Sequence, residues 1–289
     1  MNALRVAAAT AGFGPRPLLD DNPLGIGVAA ALGAGLALAG MLASLVAWRR
    51  RGRRSLRLAA PLVVLVVAHA TTLAVFPTWW LIDWLQTPSV VFRVPTERPA
   101  FALTIDDGLD PDSTPRLLGV LRRHEARATF FVLGESLRDH PALARAVLAD
   151  GHELANHQMN DKPAVALEPA DLKRQVRECH ALLAPLSGAA PRWFRPGGGV
   201  VTTACRQVAD ELGYRIALGS VFPFDSHLHQ TRFLAAYVAQ RTSAGAIVVL
   251  HEGLGRGGRA AAVLDKALGE LTARGLRAVT LSELFAEAG

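Results

Sequence analysis

Several short stretches of this chain place ionisable side chains directly after apolar residues, where a buried strand would end. Thr104, Ile105, Asp106, Asp107 and Gly108 set two carboxylates side by side. Adjacent anions repel, so they require a cation or a shared proton, and a metal ion is the economical answer. An Asp-Asp-Gly turn with solvated carboxylates is the plain alternative. His157 and Asp161 stand four residues apart. On a helical turn they would share a face and could bind one ion, a signal that is weak on its own. His152 is a poorer ligand, because on a continuous strand its side chain would point away from that of His157. Arg195 precedes Pro196 and the run Gly197, Gly198, Gly199. An arginine there can hold a carboxylate bidentately, and the glycines let backbone approach a ligand closely. Asp225 follows Phe222, Pro223 and Phe224, and His251 comes directly after the apolar run that ends at Leu250. Each stretch alone fits a capped turn, a surface ion pair or a core histidine. Together they require a fold that gathers strand ends into one cleft.

The elements that would do so alternate along the chain. Strands are predicted over 101–105, 128–133, 153–156, 193–195, 215–218, 246–250 and 277–280. Helices are predicted between them over 113–124, 141–149, 169–183, 202–212, 232–241 and 260–274. Pro115 in a first turn and Gly151 after a last turn punctuate this pattern. The order implies a parallel sheet, and about seven strands in this length fit an α/β fold of the distorted (β/α) barrel kind better than an open doubly wound sheet. Both architectures put their chemistry at the C-terminal ends of the strands. No glycine fingerprint for a dinucleotide follows the first strand.

The N-terminal part reads differently. Residues 24–48 carry no charge and are long enough to cross a hydrocarbon core of about 30 Å. Residues 58–76 form a second uncharged run, followed by Trp79, Trp80 and Trp84 in the manner of an interfacial belt. The basic residues follow the first run, which disfavours a cleaved signal peptide. Arg49, Arg50, Arg51, Arg53, Arg54 and Arg57 fill the loop between the runs and place it in the cytoplasm by the positive-inside rule. The expectation is a multi-pass membrane protein: an anchor over 1–87 with helices at about 24–48 and 58–76, a linker over 88–96, and an extracytoplasmic domain over 97–289. The net charge of +6 belongs to residues 1–95, since residues 96–289 hold 22 Lys or Arg against 22 Asp or Glu. With no basic stripe carrying interleaved aromatics, a nucleic-acid partner is not expected. Cys179 and Cys205 match no metal spacing and read as two buried free thiols before a disulfide.

Taken in order, these stretches resemble the five motifs of the NodB-homology polysaccharide deacetylases, carbohydrate esterase family four, over roughly residues 97–285. The resemblance implies that Asp106 is the catalytic base, Asp107 a metal ligand, Arg195 the residue that holds the base, His251 the catalytic acid and Asp225 its partner. His157 falls in the second motif, where the family has two histidines four apart. Here the second position is Asp161, so the implied ligand set is Asp107, His157 and Asp161. The ion is zinc in the first place, with cobalt, manganese or iron admitted by a more oxygen-rich site. Gly197, Gly198 and Leu250 are expected to line the substrate. The implied activity is hydrolysis of N-acetyl groups on an extracytoplasmic glycan such as peptidoglycan, a chitin-like chain or poly-N-acetylglucosamine. The alternative is an inactive, membrane-anchored glycan-binding or scaffold protein, suggested by the change at position 161.

Overall fold

The computed structural model describes residues 87, 89–186, 191–253 and 257–288. The apolar runs at 24–48 and 58–76 lie outside the described residues. Among the described residues no helix is long and apolar enough to cross a membrane.

In chain order the elements are β1 (Val90–Val91), β2 (Ala100–Gly108), α1 (Thr114–Arg123), β3 (Thr129–Val132), α2 (Gly134–Asp139), α3 (Pro141–Ala149), β4 (Glu153–Asn156) and α4 (Pro169–Leu183). There follow β5 (Trp193–Phe194), α5 (Thr203–Leu212), β6 (Arg215–Ala217), α6 (Thr231–Arg241), β7 (Ile247–His251), α7 (Gly257–Ala273), β8 (Arg277–Val279) and α8 (Leu281–Ala288). All seven expected strands form. The sheet runs β1-β6-β5-β4-β3-β2-β7, with β8 beside β2, and the ladders between these strands are parallel. Past β6 the chain bridges back to β7 through Val221 and Val248. The sheet therefore curls into an incompletely closed barrel, and the strand C-termini open on one side.

Residue alternation makes the two layers of this fold. Along β2 and β7, Phe101, Leu103, Ile105, Val248 and Leu250 face the outer helices. Ala100, Ala102 and Ile247 face inward with Phe131, Ala155, Trp193 and Ala217. Small alanines opposite Phe131 and Trp193 let the narrow interior fill without a channel. At the N-terminal end α8 closes it: Trp193 packs 4.8 Å from the Phe285 ring and donates from Nε1 to Ser282 Oγ at 2.9 Å. The outer helices bury one stripe each, as in α1, where Leu117, Leu118, Val120 and Leu121 are buried while Arg122 and Arg123 are exposed. Helix α5 starts where Thr202 Oγ1 accepts from the Cys205 amide at 3.2 Å and ends at Gly213, whose φ of 71° a side chain would resist.

Two expectations change. The stretch expected as a linker contains a strand of the domain, because β1 pairs with β6, Val90 against Ile216 and Val91 against Ala217. Both valines are buried, so the domain begins before position 97. A two-residue strand held by a partner far along the chain leaves no local periodicity to read. The short α2 and α8 were likewise outside the predicted set. Cys179 and Cys205 are buried free thiols.

Candidate active site

Register brings the first two groups together. Asp106 on β2 lies opposite His251 on β7, so the ends of two neighbouring core strands each contribute one ionisable residue to the opening. On a regular strand Asp107 would then point the other way. Instead the β2–β3 register shifts between Asp106 and Gly108, and Asp107 has a φ of 66°. Such an irregularity re-aims a side chain at a strand end, and a non-glycine residue in that conformation is held there against a cost of about 1–3 kcal/mol.

Asp106 is gripped from the barrel interior. Arg195 donates from one terminal nitrogen to Asp106 Oδ1 at 2.5 Å and to Thr104 Oγ1 at 2.8 Å. Its remaining nitrogens donate to the carbonyls of Ala217 at 2.8 Å and Leu218 at 3.2 Å, and its plane lies 4.0 Å over the Phe131 ring. Burial pulls the guanidinium below its usual pKa and the Asp106 charge pulls it back. The pair is thus buried, hydrogen-bonded throughout and fixed in one orientation. Replacing Arg195 by methionine should cost about 3–5 kcal/mol by stranding the Asp106 carboxylate. Joining it to Asp106→Leu should restore most of that loss in a chemical denaturation series. An Arg195→Met protein as stable as the parent would contradict this account.

His157 follows β4. Its Nδ1–H donates to the Arg195 carbonyl at 2.7 Å, which leaves Nε2 facing Asp107 Oδ1 at 3.4 Å, both side chains about 5% exposed. That orientation is the one a metal-binding imidazole needs. The 3.4 Å separation equals the edge of a tetrahedron with bonds of about 2.1 Å, so the two groups fit a shared ion. Burial alone would lower the pKa of His157, yet the Asp107 bond and the charges of Asp106 and Asp107 raise it. The same negative field favours a cation.

Asp161 does not join them. It is exposed, and among the described residues no three His, Cys, Asp or Glu side chains form a group that could hold a metal. The reason is local. After His157 the chain does not make a helical turn, since Gln158 adopts a φ of 58° and residues 157–163 form a loop. The face-sharing expected from a spacing of four therefore fails. Gln158, fully buried, organises that loop: its Nε2 donates to the carbonyls of Asn160 at 2.9 Å and Lys162 at 2.6 Å, and its Oε1 accepts from the Gly197 amide at 3.1 Å.

His251 has a partner of its own. Its Nδ1–H donates to Asp225 Oδ1 and its backbone N–H to Asp225 Oδ2, both at 2.8 Å. This two-point grip fixes the tautomer and leaves Nε2 for the cleft. Phe222 packs edge-on at 5.5 Å. Burial would lower the His251 pKa, but the Asp225 bond and the charges of Asp106, Asp225 and Asp107 carry it upward. Asp225 reaches this position because Phe224 before it takes a φ of 58°, while Arg259 holds its carbonyl at 3.1 Å.

Of the three expected substrate-lining residues, Leu250 and Gly197 are buried and Gly198 is exposed. Leu250 is fully buried in the helix-facing layer, because neighbours on a strand point to opposite faces. Gly197 is also buried, and a Cβ there would meet the Lys162 carbonyl at 2.3 Å, so its smallness serves loop packing. Gly198, with a φ of 70°, lies against Pro163. His152 is a core histidine: its Nδ1 accepts from the Ala128 amide at 3.3 Å, and burial lowers its pKa to about 4. Thr104, Gln158 and Glu252 are site-supporting residues to which the sequence reading gave no role.

Comparison with known proteins agrees with this geometry. Residues 93–217 match the family model for polysaccharide deacetylase. The chain is 35% identical over 201 residues to a peptidoglycan-N-acetylglucosamine deacetylase of Bacillus cereus, covering 69% of this chain and 94% of the relative. It is 34% identical to a chitooligosaccharide deacetylase of Sinorhizobium fredii, covering 60% of this chain and 79% of that one. Among solved structures, the Bc1960 peptidoglycan N-acetylglucosamine deacetylase superposes with a TM-score of 0.66 at 26% identity, covering 71% of this chain and 96% of that chain.

Proposed function

The chain belongs to the polysaccharide deacetylase family, and from that premise we propose that it hydrolyses the N-acetyl groups of an extracytoplasmic amino-sugar polymer with the help of one divalent ion. The observation that carries the proposal is the meeting of two separately oriented pairs, Asp106 with Arg195 and His251 with Asp225, at adjacent strand ends. One pair presents a base and the other an acid. Amide hydrolysis needs both within one cleft.

Asp107 and His157 would hold the ion, zinc in the first place, with cobalt, manganese or iron as substitutes. When bound, such an ion supplies Lewis acidity to the acetyl carbonyl and lowers the pKa of water. Asp106, locked by Arg195, takes the proton from the attacking water, whose oxygen bonds to the acetyl carbon. His251 Nε2 then delivers a proton to the sugar nitrogen as the carbon–nitrogen bond breaks. Acetate and a free amine leave. The imidazolium that starts the step is sustained by Asp225, which is why a raised pKa suits His251.

The names of the relatives favour N-acetylglucosamine in peptidoglycan, with chitin-like chains second. The two apolar runs flanking an arginine-rich loop support a membrane anchor and an extracytoplasmic location for the domain. Dialysis against a chelator should lower acetate release from an N-acetylated glycan roughly 100-fold or more, and zinc or cobalt should restore it; His157→Ala should not recover with added metal. Full activity after exhaustive chelation would remove the ion from the account. A protein that binds the glycan and never releases acetate would be the scaffold.

A further inference from the structure

Glu252 follows the acid in sequence, but its carboxyl serves a different part of the site. It is 0% exposed. One carboxyl oxygen accepts from Ser113 Oγ and from Thr114 Oγ1, both at 2.9 Å, at the start of α1. The backbone N–H of Glu252 donates to the Asp106 carbonyl at 3.0 Å. Its second carboxyl oxygen has no partner, and a Cβ on Gly108 would lie 2.3 Å from it. Thr114 Oγ1 in turn accepts from the Asp110 amide at 2.9 Å, while Asp110 Oδ1 accepts from the amides of Asp112 and Ser113. Residues 108–113, the stretch that leaves Asp106 and Asp107, are therefore tied at both ends to the residue next to His251.

An apolar side chain of the same length would fill this space at lower cost. Burying a carboxyl with one oxygen unpaired is unfavourable, and burial pushes the Glu252 pKa up to about 7. A group kept under such a penalty is explained by what its hydrogen bonds hold in place. Those bonds reach the last residue of the turn that follows the two aspartates and the first residue of α1.

Resting on the deacetylase reading, we propose that Glu252 is a positioning residue whose carboxyl clamps the Gly108–Ser113 turn to the end of β7, setting Asp106 and Asp107 relative to His251. A hydrogen-bonding strut is what matters, so glutamine should replace it and an apolar isostere should not. The test is acetate release from N-acetylated chitooligosaccharide together with the visible spectrum of the cobalt-loaded protein, which reports the surroundings of Asp107 and His157. Glu252→Met should lower kcat at least tenfold with KM within twofold and should shift the cobalt bands. Glu252→Gln should recover most of both. Thr114→Val removes a donor without touching Glu252, should move both readouts in the same direction, and carries the test if Glu252→Met does not fold. Unchanged kcat and an unchanged cobalt spectrum in Glu252→Met, or in Thr114→Val if that variant alone folds, would overturn the proposal. A parent protein that releases no acetate and binds no cobalt would overturn the deacetylase reading beneath it.

Discussion

Asp106→Asn should give a folded protein whose kcat for acetate release is roughly 10²–10⁴-fold below that of the parent, the range expected when a positioned general base is removed. The substitution preserves shape and keeps an oxygen that can accept from Arg195, which now lies 2.5 Å from Asp106 Oδ1. What disappears is the capacity to take a proton. KM should change little, because Asp106 is called on as the water attacks and binds no distant part of the glycan. Some stability will be lost as well, since the buried guanidinium of Arg195 loses its counter-charge. Circular dichroism and a denaturation curve separate that loss from the catalytic one. Comparable kcat in parent and variant would mean that the base lies elsewhere.

The second large effect is one of pH. Asp225 contacts His251 through two hydrogen bonds, one to the ring and one to the backbone, and with the charges of Asp106 and Asp107 it carries the imidazole pKa above the ordinary value in spite of burial. An acid must hold its proton to work, so activity falls as pH rises through that raised pKa. Neutralising the partner with Asp225→Asn lowers the pKa, and the alkaline limb of the kcat profile should move down by roughly one unit or more. Near pH 7.5 the rate should then drop by roughly tenfold or more, and lowering the pH should recover part of it. The same pair contributes to stability in a defined window. With the folded pKa raised, the contribution is complete below the unfolded histidine value of about 6.5 and is lost as pH rises through the folded value. Asp225→Asn should therefore destabilise the protein more at pH 5.5 than at pH 9. An alkaline limb that does not move would break the link between Asp225 and the acid.

Much of this site was legible because parallel strands turn sequence position into spatial position. Asp106 and His251 each end an apolar run, and the β2–β7 register sets them opposite each other. Arg195 was readable for the same reason. Asp225 was harder, since it ends no strand; it arrives through the Val221 bridge and the left-handed Phe224, and the family resemblance pointed to it. Asp161 shows where spacing misleads. A separation of four means proximity only on a helix, and the turn conformation of Gln158 removes that condition. Leu250 was misjudged for a simpler reason: its neighbour faces the cleft, so on a strand it must face the helices. Glu252 went unassigned because nothing local says that an acid after an apolar run will be buried against a helix start that lies far away in sequence. The strand β1 was invisible on the same grounds, its partner being remote.

The measurement that bears most directly on all of this is a parallel count of the acetate released from N-acetylated peptidoglycan and the free glucosamine amines formed on it by the zinc-loaded protein. The pairs at Asp106 and His251 predict the two products in equal amounts, with both lost in Asp106→Asn. Neither product from any N-acetylated glycan, or equal yields from parent and variant, would contradict the assignment of this cleft as a deacetylase.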